Sequence, residues 1–224
     1  YNSLSERFRA TFKDKLDNLA KDEKGKQVDK IKLKEELATL ACKKWLDVRA
    51  FGQVFAIPKG KSKGDDGDEE KSVSIGVRGP VSIQSAFSRE PVVIESLQIT
   101  KSVNGQPPKK DVGQKSSDTM GMKHRVNNAV YVTYGSISPQ LAEKTGFTDA
   151  DAVVIKNAIF SLFEGDESSA RPSGSMQVLK VVWFTHNSKS GQYSSAKVHN
   201  SVKVDKTGNV TIEALDGLQY EILE

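Results

Sequence analysis

The residues best suited to chemistry in this chain lie in Asp118 to Gly135, DTMGMKHRVNNAVYVTYG. Lys123, His124 and Arg125 follow one another directly. An imidazole between two cations fits two tasks. The cations can hold phosphates, and the imidazole can move a proton during RNA cleavage while they stabilise the phosphorane. Other basic residues stand beside glycine-broken strand ends: Arg49, Arg78, Arg89, Lys101 and Arg171. Ser82, Gln84 and Ser88 precede Arg89 and are small polar groups suited to sugar or phosphate contacts.

Charge distribution supports an anionic partner. The chain of 224 residues has a net charge of +4. Residues 101–125 hold six cations against two anions, as much excess as the whole chain carries. DDGDEE at 65–70 is the opposite extreme and should point away from any phosphate path. The motifs of common enzyme classes are missing: there is no glycine-rich phosphate loop, no GxSxG and no HExxH. One cysteine and three histidines, at 42, 124, 186 and 199, make no zinc pattern. No cofactor is expected. A single cysteine excludes an internal disulfide and fits a reducing cytosol. No apolar run approaches the roughly 20 residues that cross a bilayer.

The elements that must position these groups follow from periodicity. Residues 1–47 read as two helices, with Leu4, Phe8, Phe12, Leu16 and Leu19 on one stripe and Leu33, Leu37, Leu40, Ala41 and Trp45 on another. Cys42 falls on the second as a small core residue. A strand is expected from Val48 to Ile57, then an acidic flexible loop over 58–72. Val92 to Thr100 alternates as a strand. A long excursion over 101–119, with Asn104-Gly105 and Pro107-Pro108, joins it to the strand that Lys123-His124-Arg125 is expected to introduce, with Val130, Val132 and Tyr134 on one face. Ser138-Pro139 and Thr148 cap two short helices. Val178 to Phe184 reads as a central strand, and Val198 to Val204 pairs with Val210 to Leu215 through Asp205-Lys206-Thr207-Gly208. Helices, strands, helices and strands in that order make an α+β fold with a largely antiparallel sheet.

Six segments then carry a resemblance: DVRAFGQVFA, VRGPVSIQSAFSREPV, DTMGMKHRV, LAEKTGFTDAD, FEGDESSARPSGSM and VVWFTHNSKSGQYSSAKVHNSVKV, in that order from about Asp47 to Val204. Together they closely resemble the backbone subunit of the type I-C CRISPR effector complex (Cascade), a Csd-type member of the repeat-associated (RAMP) proteins. The resemblance implies a ferredoxin-like or RRM-like palm over 48–224, a helical insertion over 1–47, and a projecting thumb over 101–119. It implies that copies of the subunit line up along one CRISPR RNA with other Cascade subunits, and through that RNA engage target DNA. Such a subunit reads backbone and shape and leaves sequence to base pairing. Guide processing belongs to another subunit in that branch, so no catalysis is implied here.

On this footing the TMGMKHRV segment lies at the thumb base. Lys123 and Arg125 hold phosphates, His124 stacks or hydrogen-bonds, and Met120 and Met122 wedge between bases. Family members begin with a strand, an Asn-Pro-Asn-Gly-type loop and a basic helix ahead of the region corresponding to Tyr1. The expectation is therefore a palm without its first core strand and with an exposed edge. Two other readings stay open: a metal-independent RNA endonuclease using His124, and an α+β protein-interaction domain with a solvated basic loop.

Overall fold

The computed structural model describes residues 3–19, 30–57, 73–100 and 120–224. Helices α1 (Leu4–Leu19), α2 (Lys30–Lys44) and α3 (Leu46–Phe51) come first, followed by strands β1 (Gly52–Ile57) and β2 (Val73–Arg78). The middle of each expected stripe buries in one cluster, whereas Leu4 at the start of the first is exposed. Phe8 and Phe12 of α1 meet Leu37, Ala41 and Cys42 of α2, and Trp45, Phe55 and Ile75 close it from the other side. Phe8 packs on Phe55 with ring centroids 4.7 Å apart, and Phe12 meets Trp45 edge-on at 5.2 Å. Burying each such ring contributes roughly 2 kcal/mol. Arg7 extends the cluster to the surface. It lies 4.3 Å from the centre of the Trp45 ring and pairs with Asp47 at 2.8 Å.

The strand expected from Val48 starts later, because 46–51 is helical. Val48 and Ala50 are buried on the inner side of α3, and Arg49 is held by the Cys42 carbonyl and by Asp151. Gly52 then turns the chain at φ 80° into β1. The turn is cramped: a Cβ on Gly79 would lie 2.2 Å from the Ala50 carbonyl oxygen. Glycine is the residue that permits this approach between α3 and the end of β2.

Strands β3 (Val81–Ile83), β4 (Phe87–Ser88), β5 (Ile94–Thr100), β6 (Met120–Val126), β7 (Tyr131–Val132) and β8 (Gly135–Ile137) follow. They pair as β3 with β8, β4 with β7 and β5 with β6, all antiparallel. These three ladders are one ribbon. Between the Ile83–Gly135 and Phe87–Val132 partners, three residues oppose two; between Ser88–Tyr131 and Ile94–Val126, five oppose four. Each break is therefore a one-residue bulge on the first arm. Backbone bonds cross both breaks, from Gln84 N to Tyr134 O (2.8 Å), Arg89 N to Val130 O (2.9 Å) and Asn127 N to Val93 O (3.0 Å). Each bulge kinks the ribbon and shifts the alternation of its faces by one residue.

The rest of the chain is α4 (Pro139–Thr145), α5 (Asp149–Phe160), β9 (Val181–Thr185), α6 (Ser195–Asn200), β10 (Val202–Val204), β11 (Val210–Ile212) and β12 (Gln219–Leu223). Helix α4 has Pro at its start and ends on Gly146 in the left-handed region. A capping box of Thr148 and Asp151 starts α5. Ile155 is buried and Ile159 partly buried against it, whereas Leu162 lies past the helix end and is exposed. β9 is not a central strand. It pairs only with β12 among the described residues and stays half-buried, with α5 against it. The strand expected from Val198 also starts later, at Val202. Ser194 caps α6 by accepting from the Lys197 amide, and Val198 anchors that helix in the interior. The β10–β11 hairpin turns through Asp205 to Gly208 as the turn residues require, with Asp205 accepting from the amides of Thr207 and Asn209.

The architecture is α+β with antiparallel pairing throughout the described ladders. No helix of the described residues is long and apolar enough to cross a membrane. The acidic loop expected at 58–72 and the thumb-like excursion at 101–119, with Lys101, lie outside the described residues.

Candidate nucleic-acid interface

The ribbon grows out of a small second core of Ala50, Val81, Phe147 and Ile155, with Ile137 packed against it. Beyond that core the first arm is exposed, with 8% at Val81 giving way to 50% at Ile83, 73% at Phe87 and 61% at Ile94. The base is anchored and the far end, β5–β6, projects. A two-stranded ribbon has no interior of its own. Its apolar side chains, Ile94, Leu97, Ile99, Met120, Met122 and Val126, are accordingly exposed.

Lys123, His124 and Arg125 lie inside β6 rather than ahead of a strand. Alternation therefore separates them. His124 stands opposite Ser96 and shares a 2.8 Å hydrogen bond between its Nδ1 and Ser96 Oγ. Lys123 and Arg125 stand on the other face, opposite Leu97 and Glu95. Arg125 donates to Glu95 Oε2 from both Nε (2.9 Å) and Nη2 (2.7 Å). Lys123 donates to the Ser169 carbonyl at 2.6 Å. That bond draws in the loop that carries Arg171, which pairs with Asp166 at 3.0 Å. One face of the ribbon thus carries Lys123 and Arg125 with the Arg171 loop beside them. The other carries His124, Met120 and Met122.

The remaining candidates divide. Ser82 and Gln84 are exposed near the base, and the Gln84 carbonyl accepts from Thr133 Oγ1 at 2.7 Å. Arg89, at the second bulge, donates from Nε to the Val204 carbonyl at 3.0 Å and so lies against the β10–β11 hairpin. Arg78 ends β2 exposed, with no ion pair among the described residues. Arg49 is turned inward, where Nε and Nη2 fork onto Asp151 at 2.9 and 2.7 Å. Those two bonds hold the Asp151 carboxyl well below its ordinary range against the opposing effect of burial, and Thr148 adds to them. The Arg49 fork joins α3 to α5, so this guanidinium serves the fold rather than an outside phosphate.

The exposed ion pairs of Arg125 and Arg171 contribute about 0–1 kcal/mol each. An incoming phosphate can displace such partners, because the carboxylates return to water at little cost. No group of three or more histidine, cysteine or acidic residues among the described residues is placed to hold a metal ion. Sequence reasoning missed Glu95 and Ser169 as the partners of the ribbon cations, since register and loop docking select them.

The family model for CRISPR-associated protein Cas7 matches residues 4–222, nearly the whole chain. Comparison with curated proteins gives no match.

Proposed function

Because the chain belongs to the CRISPR-associated protein Cas7 family and is thereby an RNA-binding backbone subunit, we propose that it acts in a type I-C interference complex, in several copies along one CRISPR RNA. The guide RNA and other Cas subunits are its partners. Target DNA is reached through the guide, the role is non-catalytic, and the setting is the cytoplasm.

The observation that carries this reading is the β5–β6 ribbon. It projects from an anchored base and presents cations on one face and exposed methionines on the other. A backbone subunit needs both, cations to hold phosphates and apolar side chains to meet unstacked bases. The endonuclease reading is weakened by geometry, since His124 faces away from Lys123 and Arg125. A cleaving imidazole needs its stabilising cations on its own side of the scissile phosphate.

The test is a native gel of the purified protein with labelled CRISPR RNA at two salt concentrations, beside a denaturing gel of the same samples. The expected result is a salt-sensitive ladder of complexes with intact RNA. RNA cut by the wild type and left whole by His124→Ala would replace this reading with the endonuclease.

A further inference from the structure

A second basic feature lies away from the ribbon tip, where Arg89 meets the β10–β11 hairpin. There a cleft of about 190 Å³ is lined by Arg89, Tyr134, His199, Asn200, Lys203 and Val204, among others. None of its lining residues is acidic. The bond from Arg89 Nε to the Val204 carbonyl fixes the guanidinium at the rim. Its terminal Nη donors take no partner among the described residues. Lys203, exposed on β10, likewise makes no ion pair among them. The cleft therefore holds two cations with open donors and no internal counter-charge.

Its wall is aromatic. The Tyr134 and His199 rings stack with centroids 4.5 Å apart and planes 21° from parallel. The Tyr134 hydroxyl and the His199 ring nitrogens have no hydrogen-bond partner among the described residues. Asn200 adds an exposed amide. A stacked wall with free donors and acceptors suits a hydroxylated ring, and the cations suit a phosphate. Size limits the ligand further. Sites for free small molecules usually occupy about 300–1,000 Å³, and this cleft is smaller. It has room for part of a polymer rather than a whole free nucleotide.

We propose that this cleft seats one phosphate–ribose unit of single-stranded RNA, with Arg89 and Lys203 on the phosphate and His199, Tyr134 and Asn200 reading the 2′-hydroxyl. The inference rests on the RNA-binding reading above and adds to it a second contact, one that distinguishes RNA from DNA.

Fluorescence anisotropy of the full chain tests it, with short single-stranded RNA and DNA of one sequence at several salt concentrations. Lys203→Ala and Arg89→Ala should each weaken RNA binding several-fold and lower the slope of log affinity against log salt by about 0.7. Lys203 is exposed on the hairpin, so its variant reports binding without a folding defect. His199→Ala should leave the slope unchanged and reduce the preference for RNA over DNA. If the double variant Arg89→Ala/Lys203→Ala keeps wild-type affinity and slope while Lys123→Ala/Arg125→Ala loses them, the cleft lies off the RNA path and only this inference falls. Absence of RNA binding by the wild type would overturn both readings. Adenosine monophosphate is the free-ligand arm, and competition by it near the Kd for RNA would overturn the polymer assignment.

Discussion

Removing the carboxylate of Asp151 should destabilise the protein far more than removing any ion pair of the ribbon. Asp151 is buried and its carboxylate accepts four hydrogen bonds from two residues: two from Arg49, at 2.9 and 2.7 Å, and two from Thr148, at 2.9 Å from the amide, which is its half of the capping box, and 3.0 Å from the hydroxyl. Asp151→Ala strands a largely buried guanidinium, which costs about 3–5 kcal/mol, a figure that includes the capping box, worth about 1 kcal/mol alone. Asp151→Asn keeps the shape and loses the charge, so about 2 kcal/mol is expected. Against a total of roughly 5–15 kcal/mol for a natural domain, either loss is large.

The pH dependence has a definite sign. The folded-state carboxyl titrates below its unfolded value, first because Arg49 bonds the charged form and in spite of burial. The folded protein therefore binds this proton only at lower pH than the unfolded chain does. Its contribution is complete above the unfolded value, near pH 4, and is lost as pH falls towards the folded one. Urea unfolding followed by circular dichroism at pH 7, and again in steps from pH 5 to pH 2, measures both quantities. The wild type should lose its advantage over Asp151→Asn across the acid range. A loss under about 1 kcal/mol for Asp151→Ala, or parallel acid profiles for wild type and Asp151→Asn, would refute the reasoning that this pair joins α3 to α5.

Lys123→Ala with Arg125→Ala should weaken guide RNA binding about tenfold or more and lower the salt slope. Its unfolding free energy should stay within about 1 kcal/mol of wild type, because the partners lost are exposed; unchanged affinity in a filter-binding or anisotropy titration would remove these residues from the interface. Gly79→Ala should lower the melting temperature, since the new Cβ would meet the Ala50 carbonyl at 2.2 Å, and a cost of about 1–3 kcal/mol is expected from overpacking; calorimetry checks it. Cys42 is buried and its thiol is raised above the ordinary value, chiefly by that burial. It should react with a thiol reagent at pH 8 only as fast as the helical unit opens, and quickly in urea; equal rates in both would place the thiol at the surface.

Some of this protein was legible in residue order. The apolar stripes at Phe8, Phe12, Leu37, Ala41 and Trp45 bury as their spacing requires, because a helix face is fixed by local period alone. The helix start at Pro139, the Thr148 cap, the Gly146 stop and the Asp205 turn are equally local, although the Ser138 hydroxyl donates to Gln140 and makes no capping bond. Where local signals misled, long-range contacts had overridden them. Val48 to Phe51 has the composition of a strand but coils so that Arg49 can reach Asp151, 102 residues away. The apolar run ending in Phe184 looks doubly covered but has one strand partner among the described residues.

The same division holds for the site. The sequence by itself determined that Lys123, His124 and Arg125 are adjacent, that six segments match one family in order, and that basic residues gather near 101–125. Only the tertiary structure decided which of them share a face. Register places His124 with Ser96 and sets Lys123 and Arg125 on the opposite side, and two bulges reset that register along the ribbon. Folding alone brings Arg89 and Tyr134 to His199 and Lys203, from arms far apart in the chain. The physical reason is that side-chain identity and local period are properties of neighbouring residues, whereas a shared face or cleft depends on hydrogen-bond register and packing between segments that meet only when the whole chain closes.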